Sequence, residues 1–447
     1  MDKNILNHDK KVRVLWLSLL TLFFMMFFTI IFIDKENIFE GFVKIITSQA
    51  VLITDFLVIG GLGGTFLNAV LIFIFNFTMM KVLGVPIKGL ALASFFTVFG
   101  FSFFGKNILN ILPIYLGGIL YSKYEHIDFG DIYITISFTS ALAPFISEVA
   151  FKVGAGQSSY LSGIALGIII GFMVTPIAKK MAGFHEGFNL YNLGFTGGII
   201  GAVISAVMKA YKFQVTPRRL ISEIHDTELK IIALTAFTML FIVGFYKNKM
   251  SFKGLKEIHN DSGLKSDFVE KYGYAPTFMN MGLMGFVGVL FVTLLGEKLS
   301  GPLLAGVLTL VGFSAYGKHF KNTVPILIGV FLASLGTTKD YFIVCLSGLF
   351  GTSMAPIAGV YGVWWGIVAG WLHLSVVQSI GVIHGGLNLY NNGFSAGIVA
   401  GFLLPIMNTV KANKENKKIN YLKRKKELYN SMTKFKTHLK SEEEKNG

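Results

Sequence analysis

The sequence predicts an all-α, polytopic integral membrane protein made of two homologous repeats. First, 53% of its 447 residues are hydrophobic and only 15% are charged, with a mean hydropathy of +0.61. This is too little charge to cover a soluble domain of that size. Second, apolar runs long enough to cross a bilayer recur from end to end. In hydrocarbon such runs must be helices, because every backbone amide needs a partner within the segment. Third, one long polar motif occurs twice.

The two ends of the chain predict its orientation. The apolar run Val14–Ile33 follows a basic stretch and shows no small-residue cleavage site, so we expect an uncleaved signal-anchor and a cytosolic N-terminus. The segment from Lys411 to Gly447 carries twelve Lys or Arg residues against five Glu. This charge predicts a cytosolic tail, either solvated or touching anionic lipid, and no nucleic-acid partner. We therefore expect a multi-pass protein of the cell membrane with both termini in the cytosol.

The duplication covers most of the chain. HEGFNLYNLGFTGG (His185–Gly198) returns 199 residues later as HGGLNLYNNGFSAG (His384–Gly397). Further upstream, GFSFFGKNILNILPIYLG (Gly100–Gly117) returns 212 residues later as GFSAYGKHFKNTVPILIG (Gly312–Gly329). Ordered matches over this length predict four regions. These are membrane repeat 1 at 12–210, a junction loop at 211–227, membrane repeat 2 at 228–412 and the basic cytosolic tail at 413–447.

The two repeats are predicted to insert in opposite orientations. Each holds about five to seven membrane segments, depending on whether its shortest ones cross the bilayer. With an odd number of crossings, equivalent loops lie on opposite sides and should differ in Lys and Arg content. Residues 34–61 hold two lysines, whereas the equivalent residues 246–273 hold six. This asymmetry favours inverted over parallel repeats.

Each repeat also contains segments that are too short for an ordinary span. Ala91–Gly105 and Asn107–Tyr121 are about 15 residues each, or roughly 22 Å at about 1.5 Å per residue. A Gly-Lys pair separates them at 105–106 and recurs in the second repeat at 317–318. This pattern predicts a re-entrant hairpin or a broken helix whose ends point into the protein. Two short spans joined at the surface, with the lysine snorkelling, are the alternative.

The duplicated motif supplies the candidate solute-binding residues. His185, Asn189 and Asn192 fall at i, i+4 and i+7, which predicts one face of a helix, and the second copy repeats the spacing. Buried amides and imidazoles are costly in hydrocarbon without partners, so these groups must line water, bind a ligand or pair with each other. The predicted pathway residues are His185, Asn189, Tyr191, Asn192, His384, Asn388, Tyr390 and Asn391. The alternative is that they only cross-link a broken helix.

Ionisable residues inside the repeats are candidates for proton or sodium coupling. Glu186 occurs only in the first repeat, since Gly385 takes the equivalent position, and it marks either a coupling site or a loop end. The duplicated lysines are expected to bind an anion, to balance the duplicated aspartates, or to lie at a helix interface. The full set is Asp55, Asp267, Glu186, Lys106 and Lys318.

A longer stretch points to a family. SQAVLITDFLVIGGLGGTFLNA, together with HEGFNLYNLGFTGGIIG and its second copy, resembles a bacterial membrane-protein family called domain of unknown function 1576. The resemblance covers nearly the whole chain and implies a multi-spanning membrane protein, without implying an activity. The plan of duplicated halves with short polar segments is also similar to that of urea-transporter-like channels. This second likeness is architectural, and no residue is matched to the selectivity slot of those channels.

These observations favour a transporter or channel for a small polar solute, with its pathway between the repeats. No cofactor or metal is expected, because Cys345 is the only cysteine and the sequence has no HExxH, P-loop or GxSxG motif. Neutral amides and imidazoles suit a neutral or weakly charged solute. The alternatives are a membrane-embedded enzyme that uses His185, His384 and Glu186, and a structural protein whose motifs only build the fold. A homo-oligomer is compatible with each.

Overall fold

The computed structural model describes residues 34, 37–152, 158–381 and 383–443. The predicted signal-anchor at Val14–Ile33 lies outside these residues. The chain divides into two compact units, with the boundary between Gly401 and Phe402. Both halves of the duplication lie in the first unit, apart from the end of the last helix. The boundaries of the four predicted regions stay predictions.

The described part of the first half forms eight helices. They are α1 (Ile38–Ile46), α2 (Phe56–Val82), α3 (Gly89–Phe101), α4 (Ile108–Tyr124), α5 (Phe129–Thr139), α6 (Ala143–Ala150), α7 (Ser158–Met181) and α8 (Asn192–Ala210). A short 3-10 turn, Ser140–Leu142, joins α5 to α6.

The second half begins with a span equivalent to residues that lie outside the described part of the first half. Its helices are α9 (Asp226–Lys247), α10 (Lys253–Ile258), α11 (Phe268–Tyr272), α12 (Tyr274–Leu294), α13 (Gly301–Phe313), α14 (Phe320–Thr337), α15 (Tyr341–Gly351), α16 (Ala355–Tyr361), α17 (Val363–Ile380) and α18 (Asn391–Glu443). After the first span they repeat the order above, with α11 and α12 together in place of α2. A 3-10 turn, Thr352–Met354, joins α15 to α16 at the position equivalent to the turn of the first half.

The prediction of an all-α, polytopic membrane protein is confirmed. Among the described residues, ten helical segments are long and apolar enough to cross a membrane. Two further apolar helices, α3 and α13, have only 13 residues each. They are about 20 Å long at about 1.5 Å per residue, well short of the roughly 30 Å hydrocarbon core. These two short helices are equivalent in the duplication, and they lie at the centre of the molecule.

Helices α3 and α13 pack against each other in opposite directions. Gly89, the first residue of α3, lies so close to the carbonyl of Ala315, just beyond the end of α13, that a Cβ there would overlap its oxygen. Gly301, the first residue of α13, lies in the same way against the carbonyl of Phe103, just beyond the end of α3. Equivalent helices that pack antiparallel are related by a two-fold axis perpendicular to both. This is the arrangement that an inverted repeat requires.

Glycines repeat the same close helix packing in each half. In the first half Gly171 of α7 lies against the carbonyl of Ile114 in α4, at a distance that leaves no room for a Cβ. In the second half Gly370 of α17 lies equally close to the carbonyl of Ile326 in α14. Small residues let helix backbones approach in this way where lipid offers no hydrophobic driving force. The duplication seen in the sequence thus extends to the contacts between helices.

Candidate functional site

The Gly-Lys pairs mark breaks between short helices, as the sequence predicts. Gly105 has a φ of +79°, a left-handed conformation that glycine tolerates best, and it separates α3 from α4. The amide of Asn68 donates to the carbonyls of Ser102 (2.8 Å) and Lys106 (2.9 Å) and so satisfies the opened backbone. After the break the two arms diverge, because α3 packs mainly against α13 and α4 against α7. They form a broken helix rather than a hairpin of packed arms.

The second break is built in the same way. Gly317 has a φ of +88°. The amide of Asn280 donates to the carbonyls of Ser314 (2.7 Å) and Lys318 (2.8 Å). Both lysines therefore stand at the junction of two short helices, with their backbone carbonyls already satisfied by an asparagine.

The duplicated motif is not helical where the sequence predicts one helix face. Residues 182–190 form turns, and α8 begins only at Asn192, so His185, Asn189 and Asn192 do not share a helix face. The physical reason is local backbone conformation. Glu186 and Gly187 have φ values of +52° and +94°, which a right-handed helix cannot accommodate. The second copy carries two such glycines, with φ values of +56° and +76° at positions 385 and 386.

The non-helical part of each motif copy, which precedes α8 or α18 and which we call its motif loop, contacts the other half of the molecule. The backbone amide of Leu190 donates to the carbonyl of Ser353 (2.9 Å), in the 3-10 turn of the second half. Reciprocally, the amide of Leu389 donates to the carbonyl of Ala141 (3.3 Å), in the 3-10 turn of the first half. The leucine side chains lie against the glycines of the two breaks. Each loop therefore covers the break of the opposite half.

Lys318 is fully buried and hydrogen-bonded. Its Nζ donates to the hydroxyl of Tyr191 (2.6 Å), from the motif of the first half, and to Oγ1 of Thr352 (2.7 Å). The ammonium also lies 4.4 Å from the centre of the Tyr191 ring. We call these three residues the Lys318 cluster. No carboxylate of the described residues lies within 4 Å of this lysine.

The equivalent residues of the first break are Lys106, Tyr390 and Ser140, which we call the Lys106 cluster. Lys106 is also fully buried, but among the described residues neither its Nζ nor the hydroxyl of Tyr390 has a hydrogen-bond partner. The ring of Phe101 lies 5.1 Å from this Nζ and 5.1 Å from the centre of the Tyr390 ring. The hydroxyl of Ser140 donates instead to the carbonyl of Ser137 (2.6 Å). The two clusters thus share residue types and differ in bonding.

Asp55 binds backbone amides of both halves. Its carboxylate accepts from the amide of Leu57 (3.0 Å), at the start of α2, and from that of Ser222 (3.0 Å) in the junction. It also accepts from the amide of Gly301 (3.0 Å), the first residue of α13 in the other half. Asp55 is fully buried and forms no ion pair among the described residues. It caps helices and does not balance Lys106 or Lys318.

Asp267 makes the reciprocal contact. Its carboxylate accepts from the amide of Gly89 (2.8 Å), the first residue of α3 in the opposite half, and from that of Glu270 (3.0 Å). Each duplicated aspartate therefore caps the short helix of the other half. The expectation that the aspartates balance the lysines is wrong, since their oxygens are held by backbone amides.

The two motif histidines do not meet in one site. His185 donates from Nε2 to Oδ1 of Asn192 (3.2 Å), whereas His384 donates from Nε2 to the carbonyl of Gly198 (2.8 Å). Glu186 is exposed on a turn. The part of the chain that the structure describes contains no group of three or more His, Cys, Asp or Glu side chains placed to hold a metal.

The asparagines of the motif differ between its copies. Asn189 accepts from the amide of Tyr191 (3.0 Å) through Oδ1, and its Nδ2 donates across the halves to the carbonyl of Gly393 (2.9 Å). Asn388 accepts in the same way from the amide of Tyr390 (2.9 Å). Its Nδ2 is buried, however, and the described residues give it no partner. Asn192 and Asn391 are the first residues of α8 and α18.

A cavity of about 420 Å³ opens onto the first motif copy. Of the predicted pathway residues, the cavity is lined by His185, Asn189, Tyr191, Asn192 and Tyr390. The other three, His384, Asn388 and Asn391, do not line it. Asp131 and Lys265 are the charged residues on its wall, and both are exposed. The cavity is therefore lined by one tyrosine from each lysine cluster, whereas neither lysine lines it.

Sequence reasoning missed the 3-10 turns as part of the site. Ser140 and Thr352 are at equivalent positions of the segments TSALAP (139–144) and TSMAP (352–356), whose prolines are 212 residues apart. The signal was present, because a hydroxyl residue shortly before a proline inside an apolar segment marks a helix break. Here the prolines, Pro144 and Pro356, are near the first residue of α6 and α16.

Comparisons with known proteins identify a family. A family model described as "Protein of unknown function (DUF1576)" matches residues 34–210 and 247–409. The two matched regions correspond to the two halves described above. No curated protein and no solved structure matches the chain significantly.

Proposed function

The chain belongs to the DUF1576 family of proteins, and we propose that it is a transporter or channel that carries a small polar solute between its two duplicated halves. One observation carries the proposal. The motif loop of each half covers the helix break of the opposite half, and the tyrosines of the two loops, Tyr191 and Tyr390, lie side by side with ring centres 6.2 Å apart. In this proposal the solute crosses unchanged, the membrane is the cell membrane, and both termini lie in the cytosol, as the basic tail favours.

The physical argument starts from the cost of open backbone in hydrocarbon. Non-helical backbone at membrane depth is tolerated only where protein buries it or where it lines a water-filled cavity. This molecule has two such breaks, two 3-10 turns and two motif loops packed together. Discontinuous helices at the interface of inverted repeats are the arrangement in which transporters bind their solutes. These six interruptions of helical backbone contact one another across the two halves, which favours a pathway there over a purely structural role.

The cavity supports a polar solute. Its wall carries an imidazole, two amides and two tyrosines at its inner end, and one acidic and one basic residue that are exposed. A volume of about 420 Å³ lies within the usual range of small-molecule sites. The solute would enter past the exposed Asp131 and Lys265 and reach Tyr191 and Tyr390, one tyrosine from each half.

Solute flux through cysteine-labelled protein tests this proposal. We would replace Cys345 with alanine and introduce Thr135→Cys on the cavity wall. Uptake of urea, glycerol, glycine, nitrate and formate would then be measured in proteoliposomes, before and after treatment with an impermeant thiol reagent. At least one solute is expected to enter faster than into empty liposomes. The reagent should abolish most of that flux, because it fills the cavity.

The matched control is Lys123→Cys, at the exposed end of α4 and away from the cavity lining. Labelling there should leave flux unchanged. Protein-dependent flux that is equally insensitive to the reagent in both variants would contradict a pathway through this cavity. An absence of flux for every solute, with folded protein in the liposomes, would overturn the proposed function.

A further inference from the structure

The two lysine clusters carry more hydrogen-bond donors than acceptors. The ammonium of Lys318 has three protons, and the described residues accept two of them. Tyr191 accepts one of these bonds, and its hydroxyl also lies within hydrogen-bond reach of Thr352. Thr352 donates its own proton to the carbonyl of Leu349 (2.6 Å). One ammonium proton of Lys318 therefore remains without an acceptor among the described residues.

The excess is larger at the Lys106 cluster. Neither the ammonium of Lys106 nor the hydroxyl of Tyr390 has a partner among the described residues, so four donor protons are free. The backbone cannot use them, because the amide of Asn68 already satisfies the carbonyls at this break. A buried polar group without a partner is expensive, and a buried ammonium more so. Something that accepts several hydrogen bonds belongs here.

Charge leads to the same conclusion. Both lysines are fully buried, and among the described residues no carboxylate lies within 4 Å of either. Each also precedes the N-terminus of a helix, α4 or α14, where the helix dipole adds partial positive charge. The aspartates that could have neutralised the lysines are occupied as helix caps. When these lysines are protonated, no neighbouring side chain of the described residues supplies their counter-charge.

Resting on the proposed function, we propose that the solute is a small monovalent oxyanion, such as nitrate or a short carboxylate. Each cluster binds it through the lysine ammonium and the tyrosine hydroxyl. One ammonium per cluster matches a single negative charge. Donors that come from a lysine and a tyrosine match an anion with more than one oxygen. Tyr191 and Tyr390 both line the cavity, so in this proposal the anion reaches each cluster through its tyrosine.

Binding is tested separately from transport, on the purified full-length protein. Thermal stabilisation by sodium nitrate and by sodium formate is titrated at constant ionic strength. The variants are Lys106→Gln and Lys318→Gln. The matched control is Lys321→Gln, which removes the same charge three residues from Lys318, at an exposed side chain whose Nζ donates to Oδ1 of Asn260 (2.8 Å).

Wild type and Lys321→Gln are expected to show the same saturable stabilisation. Lys106→Gln and Lys318→Gln should each weaken binding at the substituted cluster at least about tenfold, because a charged hydrogen-bond donor is lost there. Each variant should therefore show a smaller total stabilisation by the anion than wild type. If these variants fail to fold, Tyr390→Phe replaces them, since its hydroxyl makes no hydrogen bond among the described residues. It should weaken binding about threefold or more. Equal stabilisation by the anion in the variants and the control, at every anion concentration, overturns the inference.

The flux assay separates this inference from the proposed function. Protein-dependent flux of urea or glycerol, with no anion binding, overturns the oxyanion assignment and leaves transport standing. Anion binding that depends on the lysines, without flux of any solute, supports the two sites and overturns transport. Lysine-dependent binding together with nitrate or formate flux supports both.

Discussion

The two halves of the molecule hold equivalent residues and bond them differently. Lys318 donates to two hydroxyl groups, whereas Lys106 has no hydrogen-bond partner among the described residues. Asp55 accepts three backbone amides and is fully buried, whereas Asp267 accepts two and is partly exposed. The cavity is lined by the first motif copy, and of the second copy only Tyr390 reaches it.

This difference teaches what duplication determines and what it leaves free. The repeated sequence determines which side chains reach the centre. Their hydrogen-bond partners are not determined in the same way, because the first motif copy lines the cavity and the second copy, apart from Tyr390, does not. Substitutions at equivalent positions of the two halves should therefore differ in their effect on stability.

The largest effect is expected at the caps. Asp55→Ala leaves three backbone amides without their acceptor, two of them at helix starts, and should lower the free energy of unfolding by about 3 kcal/mol or more. Asp267→Ala removes two bonds at a partly exposed position and should cost about 1 kcal/mol. Melting of the two purified variants measures the difference. Equal destabilisation would mean that the greater burial of Asp55 does not make it a stronger cap than Asp267.

An intermediate effect is expected in the motif loops. Asn189→Ala loses a bond to the amide of Tyr191 and a bond to the carbonyl of Gly393 across the halves, at a cost of about 2 kcal/mol. Asn388→Ala loses only the bond to Tyr390 and removes an unpartnered buried amide, so about 1 kcal/mol is expected. Thermal unfolding in the same detergent compares them. A larger loss of stability in Asn388→Ala than in Asn189→Ala would contradict this expected order.

The smallest effect concerns the helix starts outside the membrane spans. Asp340, before α15, is paired with Arg219 of the junction through two hydrogen bonds, one of them 2.9 Å long between Nη2 and Oδ1. Its equivalent Asp128, before α5, accepts only from the amide of Gly130 among the described residues. The hydrogen bond from Arg219 lowers the pKa of Asp340 below its ordinary value of 3.8.

A lowered pKa in the folded state gives stability that is present above the unfolded value and lost as the pH falls through the folded one. Arg219→Gln should therefore lower the free energy of unfolding at pH 7 by at most about 1 kcal/mol, since the pair is partly exposed. The difference from wild type should be constant above about pH 5 and should shrink as the pH falls below 3.8 towards the lowered pKa of the folded state. Melting temperatures from pH 7 to pH 3 measure it. A difference that does not shrink at all between pH 5 and pH 3 would rule out the carboxylate as its source.

Much of the fold follows from the sequence alone. Apolar runs and ordered internal matches were sufficient for the spans, the duplication and the Gly-Lys breaks, because each depends on local composition or on direct self-comparison. The helix predicted across His185, Asn189 and Asn192 was wrong, since the same spacing also fits a loop whose left-handed residues only the structure reveals.

The contacts of the site were harder to predict, because they join distant parts of the chain. Asp55 and Gly301 are 246 residues apart, and Lys318 and Tyr191 are 127 apart. A single sequence shows that Asp55, Asp267, Lys106 and Lys318 are duplicated. It does not show that backbone amides occupy the aspartates and leave the lysines without a counter-charge. That distinction depends on the antiparallel packing of α3 against α13, which brings each aspartate to the helix start of the opposite half.

The exchange of caps between the halves makes their interface isologous, in the sense used for symmetric dimers. Asp55 of one half holds the start of α13, and Asp267 of the other holds the start of α3, so the same surface serves both partners. A protein consisting of one half would meet this need only by pairing with an oppositely inserted copy of itself. Fusion of two such genes fixes both orientations in a single polypeptide, and it frees each half to diverge around a shared centre.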